Sequence, residues 1–165
     1  MAGFLSAQSG VTVNSDASWY AEPTQQDQGR PDLEAQTADQ TPIVKIEAKL
    51  GAGFGAGQLR SYANDLAARN QTGDGVLAVL VPSHRVGIVT ASLHQEFGGA
   101  GSEHSWHVEE PAIHLTVVSW EDLFDALSDA VTGPLQYDID QLHGMYQTLA
   151  GLVIAPITAP DTLRW

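Results

Sequence analysis

The chain has 165 residues, 43% of them hydrophobic, with no cysteine and a formal net charge of −13. This length and composition suit one compact domain around one ordinary core, and the lack of cysteine excludes a disulfide framework and a zinc–thiolate site. No basic stretch followed by an apolar core stands at the amino end, and no apolar run is long enough to span a bilayer, so a cytoplasmic protein is expected. Residues 2–8 read as the tail of a helix ended by Gly10, and Val11-Thr12-Val13 reads as a short strand. Residues 14–30, rich in Gln, Asp and Ser, are the stretch expected to be mobile.

Two strands are predicted next, over 31–35 and 43–50, around a polar connection whose Thr, Asp and Pro residues are turn formers. A symmetric turn is centred between Asp39 and Gln40, which puts Asp32 opposite Glu47. Directly opposed residues of an antiparallel pair lie about 5 Å apart at Cβ. Two carboxylates that close repel each other unless a proton or a cation lies between them. Side chains alternate along the second strand, so Val44, Ile46, Ala48 and Leu50 form an apolar face while Lys45, Glu47 and Lys49 share the other. A cluster of this kind can be ordinary surface electrostatics. Two acids and a lysine at one end of a sheet are also the minimal kit for metal-assisted cleavage of a phosphodiester.

A loop of small residues, Gly51 to Gly57, leads into a helix over 58–69 with Leu59, Ala63 and Leu66 at core spacing. Gln58 and Tyr62 stand four apart, share a face, and can lie back over the acids. The strand–glycine–helix layout also begins a dinucleotide-binding fingerprint, with Gly51-x-Gly53, Ala56 in the third place and Asp74 near where the ribose-binding acid is wanted. Against that reading, the strand before the loop ends in charge, where a Rossmann first strand is almost wholly apolar. Val76 to Pro82 is a continuous apolar run, the mark of a strand covered on both faces. A helical period follows through Val86, Val89, Leu93 and Phe97 until the glycines at 98, 99 and 101 break it. His104-x-x-His107, with Glu103, Glu109, Glu110 and His114 nearby, has the residue types of a transition-metal site. No helix fixes those ligands, so they read as solvated loop histidines, while His94 and His143 read as helix-face residues. Residues 113–118 read as a strand leading into a helix over 120–131, in which Trp120 is core and Leu123, Phe124, Leu127 and Val131 form an apolar stripe. A last helix is expected over 138–152, with Ile139, Leu142, Tyr146 and Leu149 on its inner face.

Taken together, Pro31-Asp32, Glu47-Ala48-Lys49 and Gln58-x-x-x-Tyr62 resemble the PD-(D/E)XK nuclease superfamily. Within it they are similar to the branch that carries a Gln-x-x-x-Tyr helix after the catalytic strands, as in RecB-type and lambda-exonuclease-type domains. The motif region covers residues 29–66. The resemblance implies an α/β fold, a restriction-endonuclease-like three-layer α/β/α core with a central mixed sheet. It implies a single domain over 1–165, with 1–28 holding a first helix truncated relative to the pattern, a catalytic core over 29–82, and a helical and strand part over 83–165. It further implies Asp32 and Glu47 as ligands of Mg2+ or Mn2+, with the Ala48 backbone carbonyl as a third. Lys49 then orients the attacking water and offsets charge developing on the phosphate. Gln58 and Tyr62 help to position the metal site and the substrate phosphate. The implied activity is metal-dependent hydrolysis of nucleic acid, DNA before RNA, and two-strand cleavage favours a dimer. Members of this branch usually carry a further acid on a helix ahead of the Pro-Asp strand. Here residues 2–8 offer none, and Asp16, Glu22 and Asp27 sit on no convincing helix. That departure leaves a second expectation, a non-catalytic or partner-dependent module on the same fold, serving a restriction, repair or defence complex.

Charge bears on the same choice. Residues 1–90 hold nine acids and six bases, for −3, whereas 91–165 hold eleven acids against Arg164 alone, for −10. Arg30, Lys45, Arg60 and Arg69 are expected around the pocket, while the second half repels polyanions. Affinity for long nucleic acid is therefore expected to be weak and steeply salt-dependent unless a partner adds grip.

Overall fold

The computed structural model describes residues 1–23 and 30–151. In chain order its elements are helix α1 (Ala2–Ser9), strands β1 (Ser18–Ala21), β2 (Leu33–Gln36) and β3 (Pro42–Ala48), helix α2 (Gln58–Arg69), strand β4 (Val76–Val81) and helix α3 (Ser83–Phe97). They continue with strands β5 (Ala100–Gly101), β6 (Ser105–Val108) and β7 (Ile113–Ser119), then helices α4 (Trp120–Ala130) and α5 (Pro134–Gly151). The strands make one mixed sheet in the order β1-β2-β3-β4-β7-β6-β5. β1, β2 and β3 form an antiparallel meander, β3, β4 and β7 lie parallel, and β6 and β5 return antiparallel. Parallel neighbours cannot be joined by a tight turn, and α2 supplies the crossover from β3 to β4.

β4 is buried along its whole length because its alternating side chains enter two different cores. Leu77, Val79 and Val81 pack with Leu59 and Leu66 of α2 and with Val89 and Leu93 of α3. Val76, Ala78 and Leu80 pack on the other face with Leu5 of α1 and Leu123 of α4. Helices therefore cover both faces of the sheet, which makes a three-layer α/β arrangement. No helix among the described residues is long and apolar enough to cross a membrane.

The hairpin has the expected register, reached by a different route. Leu33 pairs with Ile46, Glu34 with Lys45 and Ala35 with Val44, and one further step sets Asp32 opposite Glu47. The turn itself is centred one half-step earlier, closed by the Thr37 N–H donating to the Thr41 carbonyl at 3.0 Å. A bulge between Ala35 and Gln36 then restores the offset.

Several expectations need correction. Val11 to Val13 is not a strand, because Ser9 Oγ and Ser6 Oγ accept the Val11 and Val13 amides and leave no ladder to build. Within the stretch expected to be mobile, Ser18–Ala21 forms β1 on the outer edge of β2. The segment read as a glycine loop with solvated histidines holds β5 and β6. A Cβ on Gly99 or Gly101 would collide with the backbone of His107 or Trp106, so these glycines allow a close strand approach. α5 begins at Pro134, and of its predicted inner face Ile139 and Tyr146 are buried while Leu142 and Leu149 are 49% and 46% exposed. Trp120 is half-buried and packs against Phe124 and Tyr146. Asp27, Leu152, Arg164 and Trp165 lie outside the described residues.

Candidate functional site

Asp32 and Glu47 meet at the ends of the β2–β3 hairpin. The Asp32 carbonyl accepts the Glu22 amide at 3.0 Å, and its side chain reaches across to accept the Ala48 N–H on Oδ2 at 2.7 Å. In a strand a residue's N–H and C=O face the same neighbour, so the Ala48 carbonyl also faces the Asp32 side. Glu47 is only 1% exposed. Its Oε1 accepts from Lys49 Nζ at 2.6 Å and from Gln58 Nε2 at 2.8 Å. Its Oε2 is equally buried and has no hydrogen-bond partner among the described residues. Leaving a buried acceptor unpaired costs about 1–3 kcal/mol, and more when it is charged.

The helix behind the hairpin holds this carboxylate in place. α2 starts at Gln58, directly after Gly57, whose left-handed backbone (φ 71°) turns the loop into the helix. Gln58 Nε2 also donates to the Tyr62 hydroxyl at 3.1 Å, and that hydroxyl donates to the Arg30 carbonyl at 2.6 Å. Gln58 Oε1 accepts the Gly55 amide at 3.1 Å, which ties the glycine loop to the same side chain. Burial pushes the Tyr62 phenol above its ordinary range; the Gln58 hydrogen bond opposes this, and the Glu47 and Asp32 charges reinforce it. The hydrogen bond to Glu47 raises the Lys49 ammonium above the ordinary lysine range against the opposing effect of burial. At neutral pH, then, Tyr62 is a phenol and Lys49 a cation. The structure thus brings Asp32, Glu47, Lys49, Gln58 and Tyr62 together, with Ala48 between the two acids.

The donor set suits a hard cation. Asp32, Glu47 and the Ala48 carbonyl offer oxygens alone, the preference of Mg2+ or Mn2+ rather than zinc. The unpaired Glu47 Oε2 is the feature that such an ion would complete. Among the described residues no group of three or more His, Cys, Asp or Glu side chains gathers, so further ligands would be backbone oxygen or water.

The cations expected around the pocket are placed differently. Lys45 is 0% exposed and sits behind the site, with Nζ 2.6 Å from Asp65 Oδ2 and 3.2 Å from Glu34 Oε2. Arg69 joins the same group at 3.3 Å from Asp65 and 3.6 Å from Glu34. Arg60 instead lies over the Phe97 ring, 4.0 Å from its centroid, and donates to the Glu110 carbonyl. Arg30 borders the site through its carbonyl. Glu34 and Asp65 were not singled out from the sequence, although offsets of two from Asp32 and seven from Gln58 place them on the faces that carry those residues.

The remaining motifs fall elsewhere. β3, the glycine loop, α2 and β4 do form a β-α-β unit, but Asp74 precedes β4 and so stands at the end of the parallel strands opposite the glycines. His107 and His114 oppose each other on β6 and β7, their rings 4.9 Å apart. Burial holds His114 below the ordinary histidine range, helped by the His107 charge. His94 stacks on Trp106 and His143 on Phe124. Comparison with family models, with curated proteins and with solved structures finds no significant match.

Proposed function

We propose that the chain is a metal-dependent nuclease with a restriction-endonuclease-like core, hydrolysing phosphodiester bonds in nucleic acid, DNA before RNA. The observation that carries this reading is the buried Glu47 carboxylate beside Asp32, with one oxygen fixed by Lys49 and Gln58 and the other left without a partner. The order of elements supports it, because Asp32 stands immediately before the second strand of a meander and Glu47 on the third, the Gln-x-x-x-Tyr face opens the next helix, and the following strand lies parallel alongside. Asp32, Glu47 and the Ala48 carbonyl would hold Mg2+ or Mn2+. When bound, such an ion supplies Lewis acidity towards a phosphate oxygen and lowers the pKa of a coordinated water. Lys49 keeps its proton, so it acts as a positioned cation that offsets charge developing on the phosphate and orients the attacking water. Gln58 fixes the rotamer of Glu47, and Tyr62 fixes Gln58.

The direct test is incubation of the full chain with linear, circular and single-stranded DNA and with RNA, in Mg2+ or Mn2+ against EDTA. Cleavage that disappears with EDTA and in Asp32→Ala and Lys49→Ala is expected. Failure to cut any substrate, together with calorimetry that detects no Mn2+ binding, overturns the proposal. The charge of −10 over residues 91–165 favours a second reading on the same fold, a module that needs a partner to grip nucleic acid. Metal binding without cleavage is its signature.

A further inference from the structure

We propose that the buried ion cluster of Glu34, Lys45 and Asp65, with Arg69 at its rim, is a positioning device for the Asp32/Glu47 centre, locking β2, β3 and α2 in the one register in which that centre assembles. The inference rests on the metal-centre reading above.

Each member of the cluster comes from an element that supplies the site, at an offset that preserves its face. Glu34 on β2 follows Asp32, the residue just ahead of that strand, by two, and Lys45 precedes Glu47 by two on β3. On α2, Asp65 follows Gln58 by seven and Arg69 follows Tyr62 by seven. Offsets of two in a strand and seven in a helix return to the same face. One ammonium group, Lys45 Nζ, therefore touches carboxylates from two further elements at 3.2 and 2.6 Å. A one-residue slip of β2 would turn Glu34 to the opposite core and strip the buried lysine of one partner, so alternative registers are penalised.

The link to the site is physical as well as positional. Lys45 Nζ lies 5.7 Å from the Tyr62 ring centroid, the Tyr62 hydroxyl takes Gln58 Nε2, and the same nitrogen holds Glu47 Oε1. Lys45 is 0% exposed, so it has no access to a substrate and acts only through these neighbours. Stability alone is a poor reason to bury three ionised groups, Glu34, Lys45 and Asp65, because apolar residues of similar volume often do as well. Specifying a unique register is the better-attested use.

The experiment compares Mn2+ binding by calorimetry and thermal melting for the parent and the neutral variant Glu34→Gln/Lys45→Met/Asp65→Asn. The neutral set is used because Lys45→Met alone leaves two buried carboxylates with only the part-exposed Arg69 between them. A melting temperature within about 4 °C of the parent is expected, with Mn2+ affinity lower by about tenfold, equivalent to about 1.4 kcal/mol. Asp65→Asn alone retains the Lys45–Glu34 pair and loosens only α2, and it should weaken Mn2+ binding in the same direction if the triple variant does not fold. Unchanged Mn2+ affinity in a folded variant overturns the positioning role while leaving the metal centre standing. A parent chain that binds no Mn2+ overturns both.

Discussion

Two acid–lysine clusters occupy the same face of the same hairpin, two residues apart along each segment. The inner one, Glu34 with Lys45, gains Asp65 and Arg69 from α2 and leaves no buried atom of Glu34, Lys45 or Asp65 without a partner. The outer one, Asp32 with Glu47 and Lys49, uses Asp32 Oδ2 on a backbone amide and ties Lys49 to the Glu47 oxygen that Gln58 already holds. The inner cluster contains its own cation between two carboxylates. The outer cluster has a lysine too, yet its second Glu47 oxygen is left over. Residue types are nearly the same in both, so composition does not mark the functional cluster. What separates the two is the buried Glu47 oxygen without a hydrogen-bond partner, on which the proposed function rests.

The largest effect is expected at the inner cluster. Lys45→Met removes the buried ammonium and leaves two buried carboxylates sharing only the part-exposed Arg69, and a loss of about 3 kcal/mol in urea unfolding is expected. A loss below about 1 kcal/mol would mean that the inner cluster is not closed in solution. At the outer half the expected cost falls on binding instead. Asp32→Asn and Glu47→Gln should weaken Mn2+ binding about a hundredfold, or about 2.8 kcal/mol, while unfolding stability moves by no more than about 1 kcal/mol. Equal Mn2+ affinities in parent and variants would remove the distinction between the clusters.

Smaller effects sharpen it. Gln58→Ala frees the Glu47 rotamer without touching a ligand, and about a tenfold loss of Mn2+ affinity is expected, as for other groups that orient metal ligands. The smallest effect concerns alkaline pH. Lys49 and Tyr62 both titrate above their unfolded values of 10.5 and 10.0 in the folded chain. Above those values the native state holds more protons than the unfolded state, so stability falls as pH rises. Their combined contribution should be fully present at neutral pH and lost progressively above about pH 10. Lys49→Met should flatten part of that decline in a series of urea titrations, and an unaltered slope would show that Glu47 does not hold Lys49 as described.

Much of this was legible from the chain itself. Alternation over 43–50 separated Val44 and Ile46 from Lys45 and Glu47, and the structure keeps them on opposite faces. The apolar run at 76–81 became a strand buried on both sides, and the period from Val86 to Phe97 became α3. The pairing of Asp32 with Glu47 followed from turn symmetry, although the bulge at Ala35/Gln36 compensates for a turn centred elsewhere. Less visible were β1, β5 and β6, which are only two to four residues long and exist because a neighbouring strand offers a ladder. Leu142 and Leu149 fit a helical stripe, but only part of that stripe meets a partner helix.

The sequence by itself determined which side chains share a face, because backbone periodicity is local and α and β repeats are short. It therefore put Glu47 with Lys49 on one face of the hairpin and Gln58 with Tyr62 on one face of α2. Only the tertiary structure decided how far each face is covered. α2 docks on the charged face of β3, buries Lys45 completely among Glu34, Asp65 and Arg69, and buries Glu47 with one oxygen unpaired. Whether a charge is solvated, neutralised or left waiting for a cation depends on elements distant in the chain, and no local pattern records that.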